Sequence, residues 1–287
     1  MPRSLFFRPR ATLAALALVA ALAVPAPGWA QSPAHDGLDA VVWSQTSVEF
    51  KAASLSAYAL ATLRLDQALA DKSWTAAPGE QSGNYGALPP AIILDIDETA
   101  LDTSPFQAWL AIRDQVFDPK AWTAFVNDAI CTAMPGALEF AKYAESKGVK
   151  VFYITGRVAE EEAGTRRNME ALGFPMGGNV DTFLMTREKP EWTSNKSSRR
   201  AHITKDYRVL LNVGDNFADF TDDSRGGIAE RMKVLEAHKG LWGKQWIMIA
   251  NPTYGSSLTA PFNHNHGLPA AAKRQAKRDS LNVWKGP

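Results

Sequence analysis

Residues 91–103 read Ala-Ile-Ile-Leu-Asp-Ile-Asp-Glu-Thr-Ala-Leu-Asp-Thr, and Pro89-Pro90 stands immediately before them. An apolar run this short, set between a proline pair and charges, reads as a buried strand, because a helix needs a longer periodic stretch. The strand delivers Asp95 and Asp97, spaced i and i+2, to its carboxyl end. In an open α/β sheet that edge is where ligands bind. Carboxylates there are costly to bury, so they call for a cation or a proton. An acidic surface turn would use the same residue types, and the rest of the chain decides between the two.

Downstream, strands and helices alternate. Pro135 can open a helix that runs to Lys147, with Gly148 as its stop. Val149–Ile154 reads as a strand and Val158–Leu172 as a helix closed by Gly173. Val180–Met185 is a strand, Ser198–Lys205 a short helix, Tyr207–Val213 a strand, Ile228–Ala237 a helix and Gln245–Ala250 a last strand. Such alternation implies right-handed crossovers and a mostly parallel sheet. Upstream, Val42–Leu69 has a helical pattern with Phe50, Ala53, Ala57, Leu60, Ala61 and Ala68 near one stripe. Residues 71–90, rich in Pro and Gly, form a loop. Phe106, Trp109, Phe117, Trp122 and Phe125 follow the aspartates at helical spacing, which makes them core; their position also suits a small cap.

A parallel sheet directs attention to its other strand ends. Thr155-Gly156-Arg157 follows Val151–Ile154, and a hydroxyl with free backbone N–H groups at such a turn can cradle an oxyanion. Lys196 opens the next crossover helix, against the dipole preference, as an anionic partner would explain. The strand Val209–Val213 runs into Gly214-Asp215-Asn216-Phe217-Ala218-Asp219, where acids four apart share one side of a helical turn. Two strands ending in paired acids, with a hydroxyl and a lysine at other crossovers, suit phosphoryl transfer on Mg²⁺. One aspartate can attack phosphorus, a second carboxyl can exchange the proton, and the threonine, amides and lysine can stabilise the transferring charge.

The order Asp-Ile-Asp-Glu-Thr, Ile-Thr-Gly-Arg, Lys196 and Gly-Asp-Asn-Phe-Ala-Asp-Phe resembles the haloacid dehalogenase (HAD) superfamily, subfamily IIIB. It is most similar to the class C acid phosphatases, the group that includes the lipoprotein e nucleotidase. Trp43–Glu49, Asp95–Pro105, Met134–Ala137, Thr165–Phe174 and Asn251-Pro-Thr-Tyr-Gly255 extend the likeness over nearly the whole chain beyond residue 40. The resemblance implies an HAD-like, Rossmannoid, doubly wound α/β domain over residues 31–287. Its small helical cap would come from the helix at about 42–70 and the segment at about 100–130. It implies Asp95 as nucleophile and metal ligand, and Asp97 as general acid and base that also lends its backbone carbonyl to the metal. By the same resemblance Thr155 and Gly156 bind phosphate, Lys196 neutralises the phosphoryl charge, and Asp215 and Asp219 hold or support the metal. Tyr254 is the candidate to stack on a substrate base, or else a tyrosine that packs its own loop. The expected reaction is Mg²⁺-dependent hydrolysis of phosphate monoesters, including 5′-nucleotides, through an aspartyl-phosphate at acid pH. A non-catalytic storage or binding protein on the same fold would be expected to lack the nucleophile, whereas Asp95 is intact; a phosphotransferase would differ only in the acceptor. Departures from the family pattern are Thr103, Gly156 and Ser257, where Asn, Asn and Trp are common.

Composition narrows the setting. The 287 residues are 46% hydrophobic and 21% charged, an ordinary globular balance. Three of the 31 basic residues and none of the 30 acidic ones lie in residues 1–30, so the remainder carries a net charge of −2. No nucleic-acid footprint follows from that. Those thirty residues read as a signal peptide: arginines, an apolar run of 14 residues from Ala11 to Val24, and small Gly28 and Ala30 before Gln31. The run is too short to span a bilayer, so the expectation is a periplasmic or secreted protein with no stable membrane anchor after cleavage. Cys131 is the one cysteine, which leaves the fold to rest on its core. Asn263-His-Asn-His266 offers imidazoles without a third ligand and reads as a surface loop.

Overall fold

The structure, a computed structural model, describes residues 35–286. The expected signal peptide therefore lies outside the described residues. Five strands build the main sheet: β1 (Pro90–Leu94), β4 (Lys150–Val158), β5 (Phe183–Thr186), β6 (Arg208–Gly214) and β7 (Trp246–Met248). Their order is β5-β4-β1-β6-β7, and every neighbouring pair is parallel. The chain leaves β1 for β4 and β5, then returns to the other side of β1 for β6 and β7. That reversal puts the topological switch point between the carboxyl ends of β1 and β6, where a crevice must open. The α/β, doubly wound reading is thus what the chain adopts.

Alternation along the strands divides the core into two layers. Ile92, Leu94, Val151, Tyr153, Phe183 and Met185 face one side. There they meet α2 (Val48–Ala70), α5 (Ala137–Ser146) and α6 (Glu162–Leu172). Ala91, Ile93, Phe152, Ile154 and Leu184 face the other, against Ile203 of α7 (Ser197–Ile203) and against Trp242, which follows α8 (Ile228–Ala237). Residues buried on both faces are why these strands read as continuous apolar runs.

The helix expected over Val42–Leu69 is two helices, α1 (Leu38–Thr46) and α2. Ser47 separates them because its hydroxyl accepts the Phe50 N–H at 3.0 Å and caps α2. The buried face of α2 is Phe50, Ser54, Tyr58, Ala61, Leu65 and Ala68, and Ala53 is exposed. An apolar-only stripe missed Ser54 and Tyr58, whose hydroxyls donate to Pro135 O at 2.8 Å and Thr99 O at 2.7 Å. Burial of each costs little once its polar atom is satisfied. Residues 100–133 form α3 (Ser104–Ile112) and α4 (Pro119–Asp128) between two short strands, β2 (Leu101–Asp102) and β3 (Thr132–Ala133), paired antiparallel. Two-residue strands carry no readable period, so the ribbon was not foreseen. β4 also continues through Thr155-Gly156-Arg157 to Val158 instead of ending at Ile154, with a register shift against β5. A short α9 (Ser256–Thr259) and the exposed α10 (Ala270–Asp279) complete the chain.

Candidate active site

β1 and β6 end side by side, and the Asp95 N–H donates to Val213 O at 2.9 Å. The Asp95 side chain therefore projects at the switch point, beside Asp215. Beyond Asp215 the chain turns tightly: the Asn216 side chain accepts from Ala218 N at 3.2 Å, and the Asp219 carboxylate accepts from Asn216 N at 2.8 Å. The turn folds Asp219 back over Gly214, where a Cβ would stand only 2.3 Å from Asp219 Oδ2. Carboxylate oxygens of Asp95, Asp215 and Asp219 lie within 4.8 Å of one another. Lys196, the residue preceding α7, sends its ammonium into this cluster, in contact with Asp95 Oδ1 and 2.7 Å from Asp219 Oδ1. Asp95 after β1, Lys196 before α7, and Asp215 and Asp219 after β6 thus converge.

The charges do not balance. Burial pushes the Asp95 carboxyl up to about 7, against the pull of Lys196 and with repulsion from Asp219 and Asp97. Asp215 is raised well above the carboxylate range, first by burial, then by Asp219 and Asp95. Burial opposes the charge of Lys196, yet Asp219 and Asp95 hold its pKa above the ordinary value. Three carboxylates beside one ammonium would carry net negative charge when all are ionised, and a cation would favour that ionised form. The donors are all hard oxygens, with neither thiol nor imidazole among them, which suits Mg²⁺-like ions.

Asp97 stands apart from the cluster. Arg157 clamps it: the Asp97 Oδ1 atom accepts from Nε at 3.0 Å and Nη2 at 2.8 Å. Thr155 is buried within β4, where its hydroxyl accepts from Arg157 N at 3.0 Å. Behind it the buried Arg199 donates to Thr155 O at 2.5 Å and Leu184 O at 3.1 Å. Gly156 is exposed, and a Cβ there would meet open space, so no close approach demands glycine. Tyr254 lines a cavity of about 430 Å³ beside Asp215, together with Trp43, Phe217, Arg231 and Met248. Its hydroxyl bonds the Glu98 carboxylate.

Three further residues contact the site residues, and the sequence motifs alone assign them no role. Glu98 is buried with φ 55° and accepts from Thr103 N at 3.0 Å, from the Thr103 hydroxyl and from Tyr254. Burial, then the Asp97 charge, raises its pKa to about 8. Asn251 donates to Asp215 Oδ2 at 2.9 Å, so the carboxy-terminal loop orients a carboxylate of the cluster. Arg157 sat inside the quoted Thr-Gly-Arg, but only spatial pairing with Asp97 reveals its use. Outside the site, both ring nitrogens of His264 are engaged, with Thr259 Oγ1 at 2.6 Å and Gly226 O at 3.0 Å, as a structural loop requires.

The chain is similar to known proteins. The sequence profile of a family described as HAD superfamily, subfamily IIIB (acid phosphatase), matches residues 17–257. The class C acid phosphatase from Bacillus anthracis superposes with a TM-score of 0.77 and 31% identity, over 88% of this chain and 99% of that one. A stem 31 kDa glycoprotein of Glycine max is 28% identical over 138 residues, which is 47% of this chain and 53% of the relative. Acid phosphatase 1 of Solanum lycopersicum is 27% identical over 133 residues, 46% of this chain and 52% of the relative. The match thus spans about half the length of these curated relatives.

Proposed function

Because the chain belongs to the HAD superfamily, subfamily IIIB, the acid phosphatase family, we propose that it hydrolyses phosphate monoesters with Asp95 as nucleophile. The observation that carries this reading is the convergence of Asp95, Lys196, Asp215 and Asp219 at the switch point. Asp95, Asp215 and the Asp97 backbone carbonyl would hold Mg²⁺, with Asp219 supporting it. The ion, when bound, would neutralise charge on the transferring phosphoryl oxygens.

In the first step a carboxylate oxygen of Asp95 bonds to phosphorus as the ester P–O bond breaks, and Asp97 gives its proton to the departing alcohol oxygen. In the second, Asp97 takes a proton from water, the hydroxide oxygen bonds to phosphorus, and the Asp95–phosphorus bond breaks to release phosphate. Lys196, the Thr155 hydroxyl and the amide of Gly156 offset phosphoryl charge throughout. α1, α3 and α4 cap the site in this reading, whereas α2, also expected in the cap, packs against the sheet. The alcohol portion enters the cavity lined by Trp43, Phe217 and Tyr254, whose rings suit a nucleoside. The substrate is thus a small phosphate monoester, with 5′-nucleotides among the candidates, and the protein works after export to the periplasm or medium. Among the described residues no helix is long and apolar enough to cross a membrane.

The test is hydrolysis of p-nitrophenyl phosphate and a panel of nucleoside monophosphates, with and without EDTA. Activity lost in EDTA and restored by Mg²⁺ is expected, and Asp95→Asn lowers turnover by about a thousandfold or more. Near-normal turnover in Asp95→Asn would remove the nucleophile assignment.

A further inference from the structure

Arg157 is among the largest side chains buried completely in the protein, at 2% exposure. A buried guanidinium paired with one carboxylate is poor value for stability, because desolvation of both charges offsets their attraction. Its surroundings fix its direction. Nη1 donates to Thr165 Oγ1 of α6 at 2.9 Å, and that hydroxyl donates in turn to Glu161 O at 2.8 Å. The Trp122 ring of α4 lies 5.6 Å from the guanidinium carbon. Beside Trp122, the Thr123 hydroxyl donates to Glu161 Oε1 at 2.8 Å, while Glu161 Oε2 accepts from Val158 N at 3.0 Å. Helix α4, Glu161, Thr165 and the end of β4 therefore form one connected shell around a single side chain. That side chain spends two of its donors on Asp97.

The two carboxylate oxygens are treated unequally. Oδ1 takes the short bonds from Nε and Nη2, at 3.0 and 2.8 Å, and Oδ2 has only a 3.3 Å contact with Nε. We propose that Arg157 is a positioning residue, held by α4 and α6, that anchors Asp97 through Oδ1 so that Oδ2 exchanges the proton with the leaving group. This rests on the phosphatase reading above and adds to it the element that aims the acid. Trp122 and Thr123 then act on proton transfer at a distance, without touching substrate.

The consequence is selective. p-Nitrophenolate leaves without a proton, whereas a simple alkoxide cannot, so an acid held out of line shows only with the alkyl ester. The experiment compares kcat/KM, which reports the step up to aspartyl-phosphate formation, for p-nitrophenyl phosphate and ethyl phosphate. Arg157→Lys retains the charge but loses the fork, and Thr165→Val removes the Nη1 acceptor along with that hydroxyl's bond to Glu161 O. We expect Arg157→Lys to lose about a hundredfold on ethyl phosphate and under about tenfold on p-nitrophenyl phosphate. Thr165→Val shifts the ratio of the two in the same direction by a smaller factor. Should Arg157→Lys fail to fold, as thermal melting would reveal, Thr165→Val decides alone. Equal losses on both esters overturn the positioning role while leaving the phosphatase reading in place. A wild-type protein that cleaves neither ester sinks both.

Discussion

Asp95 and Asp97 are chemically identical and two residues apart, yet the fold gives them opposite partners. Asp95 shares Lys196 with Asp219, and Asp97 has the Arg157 guanidinium to itself. Neutralising them should therefore have opposite effects on stability. Asp97→Asn strands a buried guanidinium, and breaking a buried pair costs about 3–5 kcal/mol; denaturant unfolding of the metal-free protein is expected to show a loss of that order. Asp95→Asn removes one of the mutually repelling carboxylates and leaves stability equal or higher. If Asp97→Asn matched the wild type in denaturant, the Arg157 clamp would not be a persistent feature in solution.

At the scale of elements, the site depends on how β6 ends. Asp219 curls back against Gly214 because nothing projects there, and Gly214→Ala would place a methyl in the carboxylate's position. The expected result is a folded protein in which Asp219 no longer meets Lys196. Turnover should fall by on the order of a hundredfold, and weaker Mg²⁺ affinity should be visible in calorimetric titration. Unchanged affinity and rate would show that Asp219 is dispensable to the cluster. The long strand–helix alternation of residues 135–250 was readable because most of its strand residues are buried on both faces and Gly148 and Gly173 stop α5 and α6. The break at Ser47 and the α2 face were not, because Ser54 and Tyr58 become core only through carbonyls supplied by Pro135 and Thr99.

For the whole molecule, the buried acid cluster couples folding to pH and, in the proposed reading, to metal. The Asp95 carboxyl is raised from 3.8 to about 7, mainly by burial, and Asp215 is raised in the same sense. A carboxyl raised in the folded state favours folding while it stays protonated. That contribution is complete below about pH 4 and is lost as pH climbs through 7. In EDTA the melting temperature attributable to this cluster should fall between pH 5 and pH 8. Mg²⁺ should restore it, most strongly at the higher pH, because it binds the ionised form. The pH slope in EDTA should also shrink in Asp95→Asn; an identical slope in that variant would mean that the cluster is not its source.

Local pattern was enough to establish the parallel α/β sheet and the acids, hydroxyl and lysine near its carboxyl edge, although β4 runs past its expected end at Ile154. Hydrophobic period and turn chemistry act over a few residues and are written directly in the chain. Which carboxylate stands free and which is clamped, how Glu98 and Tyr254 meet, and what aims Asp97 were decided by packing alone. Those contacts join Asp97 to Arg157, Glu98 to Tyr254 and Asp215 to Asn251, residues 60, 156 and 36 positions apart. No local preference of the backbone encodes a pairing that exists only once separate loops are closed over the same crevice.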